Sequence, residues 1–488
     1  MAKYRLLFGN SIFLLVWLML ISAVYAQTDN AINSKDIDLE RITVTASRSA
    51  RFVSESPMNV SVISAQEIVQ SNAKSVVDVL KTQDGLYAYD PSGVGASGMS
   101  VNMRGFYVGM SSHYLVLVDG IPQNKGKDKL VDWDLISLDN VERIEIVRGP
   151  SSALYGDNAM SGLINIITRK PTKKPEGKFS VSYGSFDTQE YKVSTSARYK
   201  ELGYSFGLSQ KNSATFRRHC NYRRNHAGGE LDYEINDTQK LQLLADYFGL
   251  HRGAYPWALS EAQISSDRRQ ARPGTENDKS DINKINASIT HAWDIDTNLK
   301  TEGTFYYKYY NGDSFYTTGS TESTKREQVE GENTYGILLK GNLNEEIIGL
   351  AQAITTGIDL ERDIFDYQEY SAPYQQRSAL QQDYGVKRNK VGPYLQDEIT
   401  LSRPFKLIAG LRYDWVDFDF NNRQTPANSK TEKMSKVTPR GSLVYSYRKN
   451  STLYANYAQA FRTPTIGQMF TYGSSANPDL EPEEATSY

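Results

Sequence analysis

The chain has 488 residues with a formal net charge of −2, and 39% of its residues are hydrophobic. This length suits two or three domains or one large barrel. The near-neutral charge argues against a general nucleic-acid binder, and the modest apolar content argues against a bundle of membrane helices. The 33 tyrosines, against 17 phenylalanines, suit a barrel with aromatic girdles at the two membrane interfaces.

The first 26 residues have the pattern of an export signal. Lys3 and Arg5 give a positive start, an apolar run covers 12–21, and small residues at 24–26 form a cleavage site. A membrane-anchor helix is the alternative, but the apolar run is short and is followed at once by the cleavage site. We therefore expect an exported protein. Its single cysteine, Cys220, excludes an internal disulfide.

Residues 27–55 are predicted to form a flexible leash with one short β-prone segment. The stretch 27–39 is polar and shows no periodicity, which is typical of disorder. The segment Ile42-Thr43-Val44-Thr45-Ala46 follows it. This segment could add as a strand to the sheet edge of a partner, or it could be the first strand of the next domain. The residues alone leave both interpretations open.

Residues 56–170 are predicted to form a small α/β domain. Two capping boxes, Ser-x-x-Glu and Ser-x-x-Asp, predict short helices over 65–70 and 75–81. The stretch 141–168 predicts a strand, a Gly-Pro turn, one helical turn, a glycine break and a second strand. Glu142, Glu145 and Arg148 lie in this stretch. Charges at this density in a strand require partners or a wet surrounding wall.

From residue 177 to residue 488 the sequence alternates with a period of two over many long segments. Phe405, Leu407 and Leu411 are apolar, for example, whereas Lys406 and Arg412 are charged. Apolar residues outside and polar residues inside are typical of a lipid-facing barrel. Short and long connections alternate, which places tight turns at one end and large loops at the other. We count about thirteen complete strands, with a fourteenth expected to begin at the last residue.

These features together resemble a TonB-dependent outer-membrane receptor of the siderophore or cobalamin type. Residues 42–46 resemble the TonB box, and the segments 104–106, 117–120 and 141–168 resemble the plug signatures. The segment 461–465, together with 477–483, resembles a barrel motif that spans an extracellular loop. The resemblance covers the whole mature chain. It implies an α+β plug domain inside a transmembrane antiparallel β-barrel.

Plugged transporters of this kind have 22 strands. The resemblance therefore implies a C-terminally truncated receptor with about 13–14 of 22 strands. Unpaired strand edges are not tolerated in lipid. We accordingly expect that these 488 residues alone do not assemble as a working transporter.

The resemblance implies energised uptake of a scarce ligand by a protein that is not an enzyme and has no cofactor. Residues Ile42, Thr43, Val44, Thr45 and Ala46 would bind the TonB energy-transducing protein. Four charged residues match the charged positions of the plug motif, and we expect them to form plug–barrel ion pairs, with pairing inside the plug as the alternative. They are Arg104, Glu142, Glu145 and Arg148.

Basic and aromatic residues of the plug tips and long loops are the candidate ligand contacts. Such a surface suits an anionic iron chelate, although contact with phosphates of lipopolysaccharide, or plain solvation, would use the same residues. The candidates are Tyr87, Tyr89, Tyr107, His113, Arg217, Arg218, Tyr255 and Trp257.

A ferric siderophore is the expected ligand, and cobalamin is the second candidate. Haem is less favoured. The family's haem receptors carry a histidine in the loop between the two halves of the barrel motif, and residues 463–476 contain none. A passive porin is the alternative of another class, but a porin needs neither plug nor leash. We expect a monomer in the outer membrane of a Gram-negative cell, in contact with lipid and lipopolysaccharide, with no nucleic-acid partner.

Overall fold

The computed structural model describes residues 42–43, 45, 47–49, 51–89, 99–106, 112–255, 257–318, 324–448, 451–471 and 476–488. The predicted export signal, residues 27–41 of the leash, Val44, Ala46 and Tyr107 lie outside the described residues. None of the helices in the described ranges combines the length and the apolar character needed to cross a bilayer.

The N-terminal part of the described chain contains nine short strands and three short helices. The strands are β1 (Ile42–Thr43), β2 (Arg51–Phe52), β3 (Asn59–Ser64), β4 (Leu86–Tyr89), β5 (Ser100–Met103), β6 (Tyr114–Val118), β7 (Ile121–Pro122), β8 (Val141–Arg148) and β9 (Gly162–Thr168). The helices are α1 (Ala65–Gln70), α2 (Val76–Leu80) and α3 (Ser152–Tyr155), with 3-10 turns at Val53–Glu55 and Trp133–Leu135.

Five of these strands form the sheet of the plug, in the order β3-β8-β9-β6-β7. Strands β6 and β9 run parallel, and the other neighbouring pairs are antiparallel. Ile144, Ile146 and Ile164 on the two central strands are completely buried, and they join the core that α2 also covers. Burial of this apolar surface is the main force that holds the plug together.

The capping box at Ser64 forms as predicted, and it fixes where α1 begins. The Ser64 hydroxyl accepts from the backbone N–H of Glu67, and the Glu67 carboxylate accepts from the backbone N–H of Ser64. The predicted strand, turn, helical turn and second strand of 141–168 are also confirmed, as β8, α3 and β9.

The remaining strands form one antiparallel sheet of 14 strands in chain order. Each strand pairs with the next, and β10 and β23 at its two edges are not paired with each other in the described residues. The strands are β10 (Glu176–Gly184), β11 (Thr188–Tyr199), β12 (Leu202–Ser213), β13 (Tyr222–Asn236), β14 (Gln239–Arg252), β15 (Lys279–Asp294), β16 (Leu299–Thr317), β17 (Lys325–Ile347), β18 (Leu350–Ser371), β19 (Leu380–Ser402), β20 (Phe405–Asn422), β21 (Lys430–Arg448), β22 (Ser451–Arg462) and β23 (Glu483–Ser487). Short helical segments in the loops are α4 (Glu261–Asp267), two 3-10 turns (Pro373–Gln375 and Pro426–Asn428) and a π-helix (Gly467–Thr471).

The predicted alternation is confirmed along β20. Phe405, Leu407 and Leu411 are exposed on the outer face, whereas Arg412 and Asp414 are buried on the inner face. The expected start of the fourteenth strand at residue 488 was wrong. Strand β23 begins earlier, because Glu483 already lies opposite the last residue of β22 in the register.

Candidate functional site: the docked leash and the plug–barrel contacts

The leash segment, defined here as residues 42–55, is docked against the plug and the barrel wall. Strands β1 and β2 form a small hairpin with Ile42 opposite Phe52 and Thr43 opposite Arg51. Thr43 and Thr45, two residues of the predicted TonB box, are buried. Of the two interpretations that the sequence left open, the structure therefore has this segment paired within its own chain.

A single buried carboxylate holds the box. The Thr43 hydroxyl donates to Glu145 Oε2 at 2.6 Å, and the Thr45 backbone N–H donates to the same oxygen at 2.9 Å. Asn165 lies opposite Glu145 in the β8–β9 register and donates to Thr45 Oγ1 at 3.0 Å. The Tyr155 hydroxyl donates to the Thr45 carbonyl at 2.8 Å. Two neighbouring strands of the plug thus grip one residue of the leash.

Arg48 ties the leash to the barrel. Its guanidinium donates to both carboxylate oxygens of Asp359 on β18, at 2.9 Å and 2.8 Å. The same group lies 4.5 Å from the ring centroid of Tyr155 in the plug and 4.4 Å from that of Tyr394 in the barrel. A bidentate pair fixes orientation as well as distance, and the two aromatic faces add cation–π attraction.

Arg51 makes the second ion pair of the leash, with Glu398 on β19. Both side chains are about 10% exposed (11% and 9%), so the pair is largely removed from water. Further along, Thr452 on β22 donates to the Ser54 carbonyl at 3.1 Å. The leash therefore contacts β18, β19 and β22 of the barrel.

The Asp359 carboxylate also belongs to a buried network beneath α3. Arg412 Nη1 donates to Asp359 at 2.7 Å and to the Leu154 carbonyl at 3.2 Å, and Arg412 Nε donates to Asp414 at 2.8 Å. Gly156 ends α3 with a φ of +71°, and a Cβ there would lie 2.8 Å from Arg412 Nε. A glycine is required at this position both by the left-handed backbone and by the close approach to the barrel.

A second contact region, which we call the latch, joins Lys129, Asp157 and Asn158 of the plug to Phe461–Thr463 of the barrel. The Lys129 ammonium pairs with Asp157 and donates to Thr463 Oγ1 at 2.9 Å. The Thr463 backbone N–H donates to Asp157 Oδ1 at 2.9 Å. The Asn158 backbone N–H donates to the Phe461 carbonyl at 3.1 Å. Backbone groups of both partners are thus committed to the latch.

The charged groups of the latch shift each other's pKa values. Burial acts to raise the pKa of Asp157, but Lys129, Lys390 and Arg388 outweigh it and hold that pKa well below its usual range. Burial lowers the pKa of Lys129 to about 8, against the opposing effect of Asp157. At neutral pH the carboxylate of Asp157 is therefore ionised.

The two halves of the predicted loop motif meet at an ion pair. Arg462 Nη1 donates to Glu483 Oε1 at 2.6 Å, and Glu483 Oε2 lies 2.7 Å from His113 Nε2 of the plug. The prediction of His113 as a plug-tip ligand contact was wrong in placement. Its side chain is buried because it faces this pair, and 3% of the residue is exposed.

The predicted plug–barrel ion pairs of β8 are not the ones that form. Arg148 lies opposite Asn59 in the β3–β8 register, and it donates to Asn59 Oδ1, to Ser61 Oγ and to the Asp84 carbonyl. The predicted role was therefore wrong for Arg148. Strand β3 of the plug supplies two of its three partners, Asn59 and Ser61, so the guanidinium is occupied within the plug and pairs with no barrel residue in the described chain.

The other three predicted residues also form no ion pair with the barrel in the described residues. Arg143 donates to Glu142 at 3.3 Å and to Glu145 at 2.8 Å, and Glu145 additionally accepts from the leash. Arg104 is exposed beside Gly149, and no ion pair of its guanidinium occurs among the described residues. The alternative of pairing inside the plug holds for Glu142 and Glu145.

The plug-side residues of the ion pairs that do cross to the barrel were not predicted in this role, and His113 alone among them was selected from the sequence, as a ligand contact. Arg48 and Arg51 follow directly after the box, which is the feature that could have drawn attention to them. Among the described residues the crossing pairs are Arg48–Asp359, Arg51–Glu398, His113–Glu483, Lys127–Glu330, Asp139–Lys192, Asp157–Arg388 and Lys170–Glu230.

The candidate ligand contacts fall into two separate groups. Tyr87 and Tyr89 are exposed on β4 of the plug, in the hairpin with β5. Arg217 Nη1 donates to the Trp257 carbonyl at 3.4 Å, and the Tyr255 and Trp257 rings lie 4.7 Å apart between their centroids.

Arg218 of the same loop pairs with Asp267. The long loops therefore bring Arg217, Tyr255 and Trp257 into one cluster. Tyr87 and Tyr89 are not in contact with that cluster in the described residues.

Comparison with known proteins identifies the family to which this architecture belongs. Residues 221–488 match the family model "TonB dependent receptor-like, beta-barrel", and residues 53–163 match "TonB-dependent Receptor Plug Domain". The vitamin B12 transporter BtuB of Vibrio vulnificus is 24% identical over 455 residues, which cover 92% of this chain and 66% of that protein. BtuB of Vibrio cholerae is 35% identical over 164 residues, covering 34% of this chain and 26% of that protein.

Solved structures give the same fold. The ferric citrate transporter FecA in its unliganded form superposes with a TM-score of 0.75 at 20% identity, over 88% of this chain and 66% of that one. The ferripyoverdine receptor of Pseudomonas aeruginosa does so with a TM-score of 0.75 at 15% identity, over 96% and 67%. The chain thus spans about two thirds of the length of BtuB from Vibrio vulnificus and of FecA. It belongs to the family of TonB-dependent receptors.

Proposed function

We propose that the chain is an outer-membrane receptor for energised, TonB-coupled uptake of a ferric siderophore, exported by its N-terminal signal. The observation that supports this most is the docked leash. Its residues are bound to the central plug strand through Glu145 and to the barrel through Arg48 and Arg51. A pull on the leash would therefore be transmitted to β8, which is an inner strand of the plug sheet, paired with β3 and β9.

Engagement of the energy-transducing partner requires that the leash undocks. Strand addition needs free backbone groups, whereas the Thr45 N–H and carbonyl are both occupied by the plug. Hydrogen bonds to charged groups contribute about 1.5–3 kcal/mol each. A docking free energy of roughly 3 kcal/mol would leave about 1% of molecules undocked, and a ligand that favours the undocked state would raise that fraction.

The ligand assignment rests on the long loops. Arg217, Arg268 and Arg269 gather around Phe216 and Trp257, and such a basic, aromatic surface attracts an anionic chelate. Relatives that share the fold include receptors for ferric citrate and ferripyoverdine. We propose that the receptor carries its cargo across unchanged, as a monomer whose outer face contacts lipid and lipopolysaccharide.

Cobalamin is the second candidate, because the named relatives from two Vibrio species are vitamin B12 transporters. The plug-bearing part of the chain resembles both classes, so the plug does not discriminate between them. The loops are the part of the molecule that would.

Binding and uptake by the full chain test the proposal against the alternative, expected from the strand count, that these 488 residues alone do not assemble as a working transporter. We expect saturable binding of a ferric siderophore from a panel that includes citrate and pyoverdine chelates, and weaker binding of cyanocobalamin. Deletion of residues 42–46 should abolish uptake into cells but leave binding intact, whereas deletion of residues 28–32 should change neither. Uptake that survives loss of the box would indicate a passive porin, and absence of both binding and uptake would indicate a non-functional receptor.

A further inference from the structure

The ion pairs of the leash share an unusual construction on the barrel side. Asp359 accepts from Arg48 of the leash and also from Arg412 of the barrel, whose Nη1 lies 2.7 Å from Asp359 Oδ2. Only 1% of the Arg412 side chain and 9% of the Asp359 side chain are exposed. The carboxylate that receives the leash thus already has a barrel cation beside it while the leash is docked.

At the second pair the barrel arginine is linked to the carboxylate group indirectly, through Gln396. Glu398 pairs with Arg51 of the leash, and it also accepts from Gln396 Nε2 at 3.2 Å. Arg440 on β21 donates to Gln396 Oε1 at 3.4 Å and interacts electrostatically with both Glu398 and Arg51. Its Nε–H is buried and has no hydrogen-bond partner among the described residues. Arg440 therefore attracts Glu398 and repels Arg51 while the leash is docked, and it forms no ion pair of its own with that carboxylate in the described residues.

A glycine lies on the strand between each barrel arginine and the residue to which it donates, Gly392 on β19 and Gly410 on β20. Gly392 lies opposite Asp359, and a Cβ on it would lie 1.9 Å from Arg412 Nη2. Gly410 lies between Gln396 and Arg440 in the paired registers of β19, β20 and β21. A side chain at Gly392 would meet the Arg412 guanidinium that serves Asp359, and an inward side chain at Gly410 would lie between the Gln396 amide and Arg440.

We propose that Arg412 and Arg440 are positioning residues that hold Asp359 and Glu398 when the leash leaves, and that they set how readily the leash is released. This inference rests on the proposed function, because it concerns release of the segment that the energy-transducing partner would bind. The barrel arginines act through the carboxylates, and in the described part of the leash neither of them donates a hydrogen bond to its backbone.

The physical basis is the cost of an uncompensated buried charge. Removing one partner of a buried ion pair is strongly unfavourable, because the remaining charge is left without water or counter-ion. A resident arginine removes that cost from the undocked state. In the docked state the same arginine repels the arginine of the leash. Both effects favour release, so loss of the barrel arginine should strengthen docking.

Thiol labelling of the leash tests this directly. Ser47 is 2% exposed, so a cysteine there should react with a water-soluble maleimide only after undocking, at a rate set by the open population. The single native cysteine is removed by Cys220→Ser. In this background Arg51→Gln should accelerate labelling about tenfold, because the leash loses its anchor. Arg440→Gln should slow labelling about threefold or more.

The opposite signs separate the proposal from a simple structural role. An Arg440 that merely supports the wall would, when replaced, loosen docking and accelerate labelling, and that result would overturn the proposal. Equal rates for Arg440→Gln and the parent would overturn it as well. In the Arg51→Gln background the effect of Arg440→Gln should vanish, because Glu398 then has no leash partner to lose.

A second variant keeps the test decisive if Arg440→Gln fails to fold. Arg440→Lys retains the positive charge but replaces the forked guanidinium by a single ammonium group. Its labelling rate should therefore fall between those of the parent and Arg440→Gln. A rate above that of the parent would contradict the proposal. These measurements need neither ligand nor partner. If labelling behaves as expected but uptake does not depend on residues 42–46, the proposed function fails while the inference stands. The reverse pattern refutes the inference alone.

Discussion

The leash and the latch join the plug side to the barrel by different means. The leash is held to the barrel by ion pairs of its side chains. Asp359 also pairs with Arg412 of the barrel, and Glu398 interacts electrostatically with Arg440. The latch commits backbone groups of Asn158 and Thr463 and buries a lysine–aspartate pair with each side chain 3% exposed. The difference implies an order of release, in which the leash can leave while the latch still holds the plug.

The largest effect is expected at the latch. Asp157→Asn keeps the shape but leaves the Lys129 ammonium buried without its carboxylate, which should cost about 3–5 kcal/mol. Hydrogen exchange of the peptide that carries residues 152–163 should accelerate by more than about a hundredfold. Exchange as slow as in the parent protein would show that the backbone contacts alone hold the latch.

The latch should also weaken in acid. Because the folded-state pKa of Asp157 lies below that of an ordinary aspartate, its stabilisation is complete above about pH 4 and is lost progressively as the pH falls below that value. Exchange of the same peptide should therefore stay constant from neutral pH to about pH 4 and accelerate as the pH falls further, after correction for intrinsic rates. In Asp157→Asn this acid dependence should disappear.

The anchor of the box should show the next largest effect. Glu145→Gln removes the charge that accepts from Thr43 and Thr45 and should weaken docking by about 2 kcal/mol. Labelling of a cysteine at position 47 should rise about thirtyfold, with exchange of residues 152–163 unchanged. Faster exchange at both places would mean that the two regions are released together.

Loss of the first leash arginine should have a smaller effect. Arg48→Gln removes one bidentate ion pair and two cation–π contacts, for an expected loss of about 1–2 kcal/mol in docking. Asp359 retains Arg412, which limits the cost. Labelling at position 47 reports it, and an effect larger than that of Glu145→Gln would reverse the assigned importance of plug and barrel contacts.

A surface pair supplies the matched control. Asp139→Asn breaks the pair with Lys192, whose side chains are 34% and 32% exposed, so the expected change is below about 1 kcal/mol. Neither labelling of the leash nor exchange of the latch should change measurably. A large effect would show that exposed plug–barrel pairs also contribute to anchoring.

The sequence predicted the fold in large part because local rules govern it. The capping box at Ser64, the strand-turn-strand of 141–168 and the alternation of β20 all follow from short-range patterns, and the structure has each of them. The functional contacts were harder to predict because they depend on which strand faces which plug residue. Arg148 and Glu145 were assigned to the wall, but register within the plug gives them nearer partners.

Proximity to the box could have drawn attention to Arg48 and Arg51, but their partners could not be predicted from the sequence around them. Their partners, Asp359 and Glu398, lie more than three hundred positions away, and no periodicity links them. The loop motif at 461–465 was recognised, but its role in the latch needs the geometry of Asp157. His113 was expected at an exposed tip, and the approach of Glu483 explains why it is buried.

Hydrogen exchange at the two regions in one experiment tests the central claim most directly. The Thr45 amide is bound by the Glu145 side chain, whereas the Asn158 amide is bound by the Phe461 backbone. We predict that, in the full chain, peptides carrying Thr45 exchange at least about a hundredfold faster than peptides carrying Asn158. Equal rates, or slower exchange at Thr45, would contradict the claim that the leash is released while the latch still holds.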